Sequence, residues 1–131
     1  MKRVVLYLLL VLMANTAFAE PFKVVYHINE REKMGMLLAS VDELLQTDPD
    51  ADIKVVVHGS AILKLINSSS YNRQIKNLMS RGVAVGGCNN SILKNSLPKD
   101  SLIKGVGLLE DGGVRELLLL QQQQGYLYIK I

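Results

Sequence analysis

The sequence predicts an α/β fold: a three-layer α/β/α domain with a mostly parallel sheet of about five strands. Two observations carry this. The strand-like runs are continuously apolar instead of alternating, as in "KVVVHG" and "VAVGGC", which is the pattern of strands buried on both faces. Between each pair of runs lies a segment with helical spacing, so that sequential strands need crossovers and not hairpins.

The elements follow in order. "FKVVYHI" at 22–28 is the first strand. Asn29 is placed to cap the helix after it, with Glu32 reaching back from three residues on. Met34, Leu37, Leu38, Val41, Leu44 and Leu45 fall on one helical stripe, and Asp48-Pro49 stops it. "IKVVVHG" at 53–59 is the second strand. Residues 60–81 read as helical pieces broken near the serines at 68–70, with Tyr71, Ile75, Leu78 and Met79 as an apolar face and Gly82 in the left-handed cap position. "VAVGGC" is the third strand, and "NNSILKNSL" a short helix ended by Pro98. "IKGVGLL" is the fourth strand. Asp111 is expected to open a last helix over 112–124, Gly125 to end it, and "YLYIKI" to close the sheet.

The first residues predict a compartment. Lys2 and Arg3 precede an apolar run from Val4 to Met13, and Ala17-Phe18-Ala19 closes it. That is the order of a secretory signal peptide, and the apolar run is too short to span a bilayer comfortably. The expectation is a signal peptide over 1–19, a single domain over 20–131, export to a periplasm, and no stable membrane anchor after cleavage. The net charge of +3 includes Lys2 and Arg3; without them the chain is near neutral, which removes support for a nucleic-acid partner. One cysteine excludes an internal disulfide and hence an internal disulfide oxidoreductase.

Ligands of open parallel sheets gather at the carboxyl ends of the strands. Three reactive side chains fall there: His27 near the end of the first strand, His58 at the end of the second, and Cys88 at the end of the third. His27, inside an apolar strand, reads as a hydrogen-bonded structural histidine. His58 precedes a glycine and reads as an exposed edge residue able to assist. Cysteine is most often plain core, but Cys88 follows Gly86-Gly87 and precedes a helix start with Asn89 or Asn90 as cap. Amides and the dipole at such a start favour a thiolate. The loops add Asn29, Gly59, Ser60, Asn89 and Asn90 as candidate ligand-binding residues.

Three segments together resemble the DsrE-like (DsrE/DsrF) family. "RGVAVGGCNNSILKN" is similar to its cysteine segment, "IKVVVHGSAILKLI" to its second strand ending in His-Gly, and "LLLLQQQQGYLYIKI" to its closing helix and strand. The resemblance covers essentially the whole chain after the leader. It implies the same three-layer fold, a homo-oligomer that is commonly a trimer or hexamer, and a sulfur-carrier role. In that role the cysteine matching Cys88 holds sulfane sulfur as a persulfide, received from a donor and passed to an acceptor protein.

Two other readings stand beside it. One is a non-catalytic oligomeric module that binds a small ligand or a protein, with Cys88 lining a strand-end cleft. The other is a metal site of His27, His58 and Cys88, whose donor types suit zinc or copper. Those three are scattered and lack any close-spaced motif, so no metal and no cofactor are assigned. G-x-S-x-G, P-loop and G-x-G-x-x-G signatures are absent. The row Leu117 to Leu120 points all round a helix axis, so at least one of these leucines is expected to face another subunit.

Overall fold

The computed structural model describes residues 3, 4 and 19–131. Apart from residues 3, 4 and 19, the predicted signal peptide lies outside the described residues. Five strands form one sheet in which every pairing is parallel: β1 (Lys23–Ile28), β2 (Asp52–Val57), β3 (Ala84–Cys88), β4 (Gly107–Leu109) and β5 (Leu127–Lys130). Their spatial order is β4-β3-β2-β1-β5. The helices are α1 (Met34–Thr47), α2 (Asn72–Ser80), α3 (Asn89–Lys94) and α4 (Gly113–Gln122), with 3-10 turns at Arg31–Lys33, Gly59–Lys64 and Lys99–Ser101. The α/β/α architecture predicted from the apolar runs is the one observed.

The strand order explains the layers. From β1 to β4 the chain steps outward in one direction, and right-handed crossovers place the intervening segments on one face. There Val24, Tyr26, Ile28, Ile53, Val55 and Val57 meet Met34, Leu37 and Val41 of α1, Ile75 and Leu78 of α2, and Ile92 of α3 in the main core. The chain then returns across the sheet to β5, so the same handedness places α4 on the opposite face. On that face Leu117 and Leu120 of α4 pack with Val25, Val56 and Tyr126 in a smaller core. Tyr126 anchors the joint into β5: its hydroxyl donates to Asp52 Oδ2 at 2.6 Å, and burial together with that carboxylate pushes its pKa up to about 12.

The apolar stripes fall as expected, but the helix starts do not. The chain enters α1 through the 3-10 turn, and no side chain caps it. Asn29 Oδ1 instead accepts from Lys130 Nζ at 2.7 Å, and Glu32 pairs with Arg31. At α4 the cap position belongs to Gly112, at φ 89°, while the exposed Asp111 faces Arg115 one turn on. Asn89 and Asn90 are not caps either. They are the first two residues of α3, and the cap position is Cys88 itself. The left-handed positions Gly82 (φ 95°) and Gly125 (φ 73°) end their helices as the sequence indicates.

Candidate functional site

Sheet register assembles the site. In a parallel sheet, paired residues point to the same face. Val25 pairs with Tyr128 and His27 with Lys130; His27 pairs with Val56 and Val56 with Gly86. Two residues beyond Val56 and Gly86 on the same face stand His58 and Cys88. Tyr128, Lys130, His27, His58 and Cys88 therefore share the α4 face at the carboxyl ends of adjacent strands. The chain reverses its direction of travel between β1 and β5, so this end of the sheet includes the topological switch point where α/β ligands bind.

The two histidines are coupled. His27 Nε2 lies 2.7 Å from His58 Nδ1, with the rings edge to face at 75°. His27 Nδ1 lies 2.7 Å from the Tyr128 hydroxyl. Burial is the main reason that the pKa of each imidazole is lowered. For His27 the drop is to about 4, with His58 and Lys130 adding to it; for His58 the second cause is Lys130. Both rings are therefore neutral at neutral pH, and each ring nitrogen between them is either donor or acceptor. His27 Nε2 and His58 Nδ1 are engaged with each other and His27 Nδ1 with Tyr128, which leaves His58 Nε2 as the one ring nitrogen of the pair without a protein partner among the described residues. Among the described residues, no three His, Cys, Asp or Glu side chains gather to hold a metal ion.

Cys88 is only 3% exposed and forms part of the wall of a cavity of about 240 Å³ shared with His58, Ser91, Lys94, Asp111 and Gly113. The sulfur is buried where α3 and α4 both start. Desolvation pushes the thiol pKa up, but the amides of Gly113, Ser91 and Asn90 and the Ser91 hydroxyl outweigh it, and the net shift is downward. Asn90 and Ser91 are the second and third residues of α3, whose amides an N-cap side chain would normally bind. No closed side-chain cap bond is made there; the amides face a sulfur that would accept from them best as a thiolate. Ser91 Oγ accepts the Gly59 amide at 2.9 Å, which leaves its own proton for the sulfur.

The remaining predicted residues are placed around this centre. Asn29, Gly59, His27 and His58 line an adjoining cavity of about 350 Å³, which shares Ser91 and Lys94 with the first. Gly59 has φ 51°, and a Cβ there would stand 2.8 Å from the Asn29 carbonyl oxygen. Ser60 Oγ takes the Arg31 amide and donates to the Asn29 carbonyl, so it knits two loops together. Asn90 lines the Cys88 cavity. Asn89 points its Oδ1 into a buried position without a partner. The sequence reading missed Ser91, Gly113 and Tyr128. Only Ser91 carried a signal, three residues after Cys88 in the same first turn. A separate cavity of about 440 Å³ between α1 and α2 is lined by Leu38, Asp42, Tyr71, Arg73 and neighbours, with neither histidine nor cysteine among its lining residues.

No family model matches the chain, and no curated protein matches it significantly. Solved structures do. The protein of unknown function MTH1491 from Methanobacterium thermoautotrophicum superposes with a TM-score of 0.78 at 25% identity, over 84% of this chain and 99% of that one. The ychN protein from E. coli gives a TM-score of 0.69 at 14% identity, over 86% of this chain and 100% of its own. The conserved protein of unknown function BT1422 from Bacteroides thetaiotaomicron gives 0.66 at 12% identity, over 83% and 94%. The chain shares their fold. The match extends over nearly the whole of each neighbour, which makes this a common domain and not a shared fragment.

Proposed function

We propose that the chain is an exported member of the DsrE-like family that carries sulfane sulfur as a persulfide on Cys88. The observation that carries this reading is the sulfur's position at the start of two helices, with three amides and the Ser91 hydroxyl favouring its ionised form. The cavity beside it admits a small sulfur donor. The Cys88 thiolate attacks the outer sulfur of a donor R–S–SH. The S–S bond of the donor breaks, R–S⁻ leaves with the electron pair and takes up a proton, and Cys88–S–SH remains. An acceptor thiolate then attacks the outer sulfur and releases the Cys88 thiolate. The sulfane sulfur changes hands with no net oxidant. Lys94 borders the cavity and suits an anionic donor.

Export and assembly belong to the same proposal. Cleavage after Ala19 would free the domain over 20–131 into a periplasm, and N-terminal sequencing of the periplasmic protein tests this, with a retained Met1 counting against it. Val114 and Leu118 are 65% and 58% exposed and lie one turn apart on α4, which supports self-association, by the family resemblance as a trimer or hexamer.

The test of the carrier is mass spectrometry of the intact protein after incubation with polysulfide. One added sulfur atom on the native protein, removed by a thiol and absent in Cys88→Ser, is the expected result. One observation favours the alternative, an oligomeric binding module with Cys88 lining its cleft: the low exposure of the sulfur. A native protein that gains no sulfur while its Cys88 remains reduced selects that alternative.

A further inference from the structure

We propose that Tyr128, His27 and His58 form a proton relay between solvent and the Cys88 cavity, so that His58 is both the base and the acid of the sulfur-transfer step. The inference rests on the carrier reading for its chemistry, and on geometry for its existence. Tyr128 is 42% exposed and its hydroxyl meets His27 Nδ1 at 2.7 Å. His27 Nε2 meets His58 Nδ1 at 2.7 Å. Among the described residues no protein group pairs with His58 Nε2, and this atom is aimed at Gly113, where an added Cβ would stand 2.3 Å from it. Gly113 offers its amide to the Cys88 sulfur, and His58 and Cys88 line one cavity. The chain of contacts thus runs from an exposed phenol to the wall of the reactive pocket.

Each gap in the chain holds one proton, so the donors must point the same way along it. In one arrangement Tyr128 donates to His27 Nδ1, His27 Nε2–H donates to His58 Nδ1, and His58 Nε2–H offers a proton to the cavity. In the other, His58 Nε2 is a lone pair, His58 Nδ1–H donates to His27 Nε2, His27 Nδ1–H donates to the Tyr128 oxygen, and the phenol proton faces solvent. Both rings are neutral in both arrangements. Burial disfavours an imidazolium at either position, so a relay by tautomer exchange suits the site better than a charged intermediate. The groups around the pair reinforce this: Lys130 on β5 acts on both rings by its charge, Lys94 on α3 borders both cavities, and the acid in the Cys88 cavity, Asp111, is exposed and faces Arg115.

The protons balance. The Cys88 thiol gives its proton to His58 Nε2, the chain shifts to the first arrangement, and one proton leaves at Tyr128. After the S–S bond of the donor breaks, His58 Nε2–H protonates R–S⁻, the chain returns to the second arrangement, and one proton enters at Tyr128. His58 acts on the reacting atoms; His27 and Tyr128 act through it.

The test compares the native protein with Tyr128→Phe, an exposed change, and with His27→Gln, which keeps a hydrogen-bonding side chain but cannot exchange protons. Iodoacetamide reacts with the thiolate and needs no acid, so its rate should stay within about twofold in both variants. Sulfur uptake from polysulfide needs the acid, and should slow by about ten- to a hundredfold, within the usual range for a general acid, with a changed pH profile. Uptake by both variants at the native rate and with the native profile would overturn the relay while leaving the carrier intact. Absence of sulfur uptake by the native protein would overturn the carrier. The relay is then decided by ¹⁵N NMR of the rings: matched tautomers, both Nδ1–H or both Nε2–H and exchanging, support it, and an imidazolium at neutral pH or tautomer populations unmoved by Tyr128→Phe overturn it.

Discussion

Gly113 and His58 are in mutual contact so close that a single methyl group on Gly113 would stand 2.3 Å from His58 Nε2. The first turn of α4 is thereby pressed against the end of β2, and only a residue without a side chain fits between them. Gly113→Ala is expected to destabilise the protein by about 1–3 kcal/mol, the usual range for overpacking. Truncating the obstacle in Gly113→Ala/His58→Ala should recover much of that loss. A urea-unfolding double-mutant cycle checks it, and additive effects would show that the two residues do not press on each other.

Ser91, and not the asparagines before it, should control the Cys88 thiol. Ser91→Ala removes a hydroxyl that accepts the Gly59 amide and favours the thiolate. The orphaned amide should cost about 1–3 kcal/mol, and the pKa of Cys88 should rise. Asn89→Ala and Asn90→Ala remove no cap, because Cys88 holds the cap position; their effect on the thiol pKa should be small. Titration of the thiolate by ultraviolet absorbance separates these outcomes.

Stability should fall with acidity in a defined window. His27 has its pKa lowered from 6.5 to about 4 in the folded protein, so the unfolded chain binds a proton there that the native state refuses. Its contribution is fully present above pH 6.5 and is lost as pH falls toward 4. His58 shifts in the same direction. Chemical denaturation across this range should show stability rising with pH, and His27→Gln should flatten the slope. An unchanged slope in the variant would mean that the His27–His58 pair takes up its proton before the chain unfolds.

The exposed stripe on α4 predicts assembly. Leu118→Asp lies away from Leu117 and Leu120, the residues that hold α4 to the sheet, so it should leave the fold intact and shift light scattering toward the monomer. A native protein that is already monomeric at micromolar concentration would remove the basis of this expectation.

The sheet was legible because its strands are continuously apolar, and the stripes of α1 and α2 because helical spacing survives local irregularity. Helix starts were not. A capping box is a pattern of side chains, whereas here a 3-10 turn leads into α1, a left-handed glycine opens α4, and a cysteine occupies the cap of α3. The asparagines have the right chemistry for a cap, but the helix already begins at Asn89, so the cap position falls on Cys88. His58 and Cys88 could be matched from their strand ends. Tyr128 and Gly113 could not, since strand order alone places β5 beside β1 and lays α4 over the second face, and no local signal encodes that order.

The central claim is that Cys88 is a buried but reachable thiol whose ionised form the fold favours. It is tested most directly by the pH dependence of native-state alkylation with iodoacetamide, followed by intact-mass spectrometry. The account predicts modification of the folded protein, with a midpoint below the free-thiol value of about 8.5 that moves upward in Ser91→Ala. Modification only after denaturation, or a midpoint at or above the free-thiol value, would contradict it.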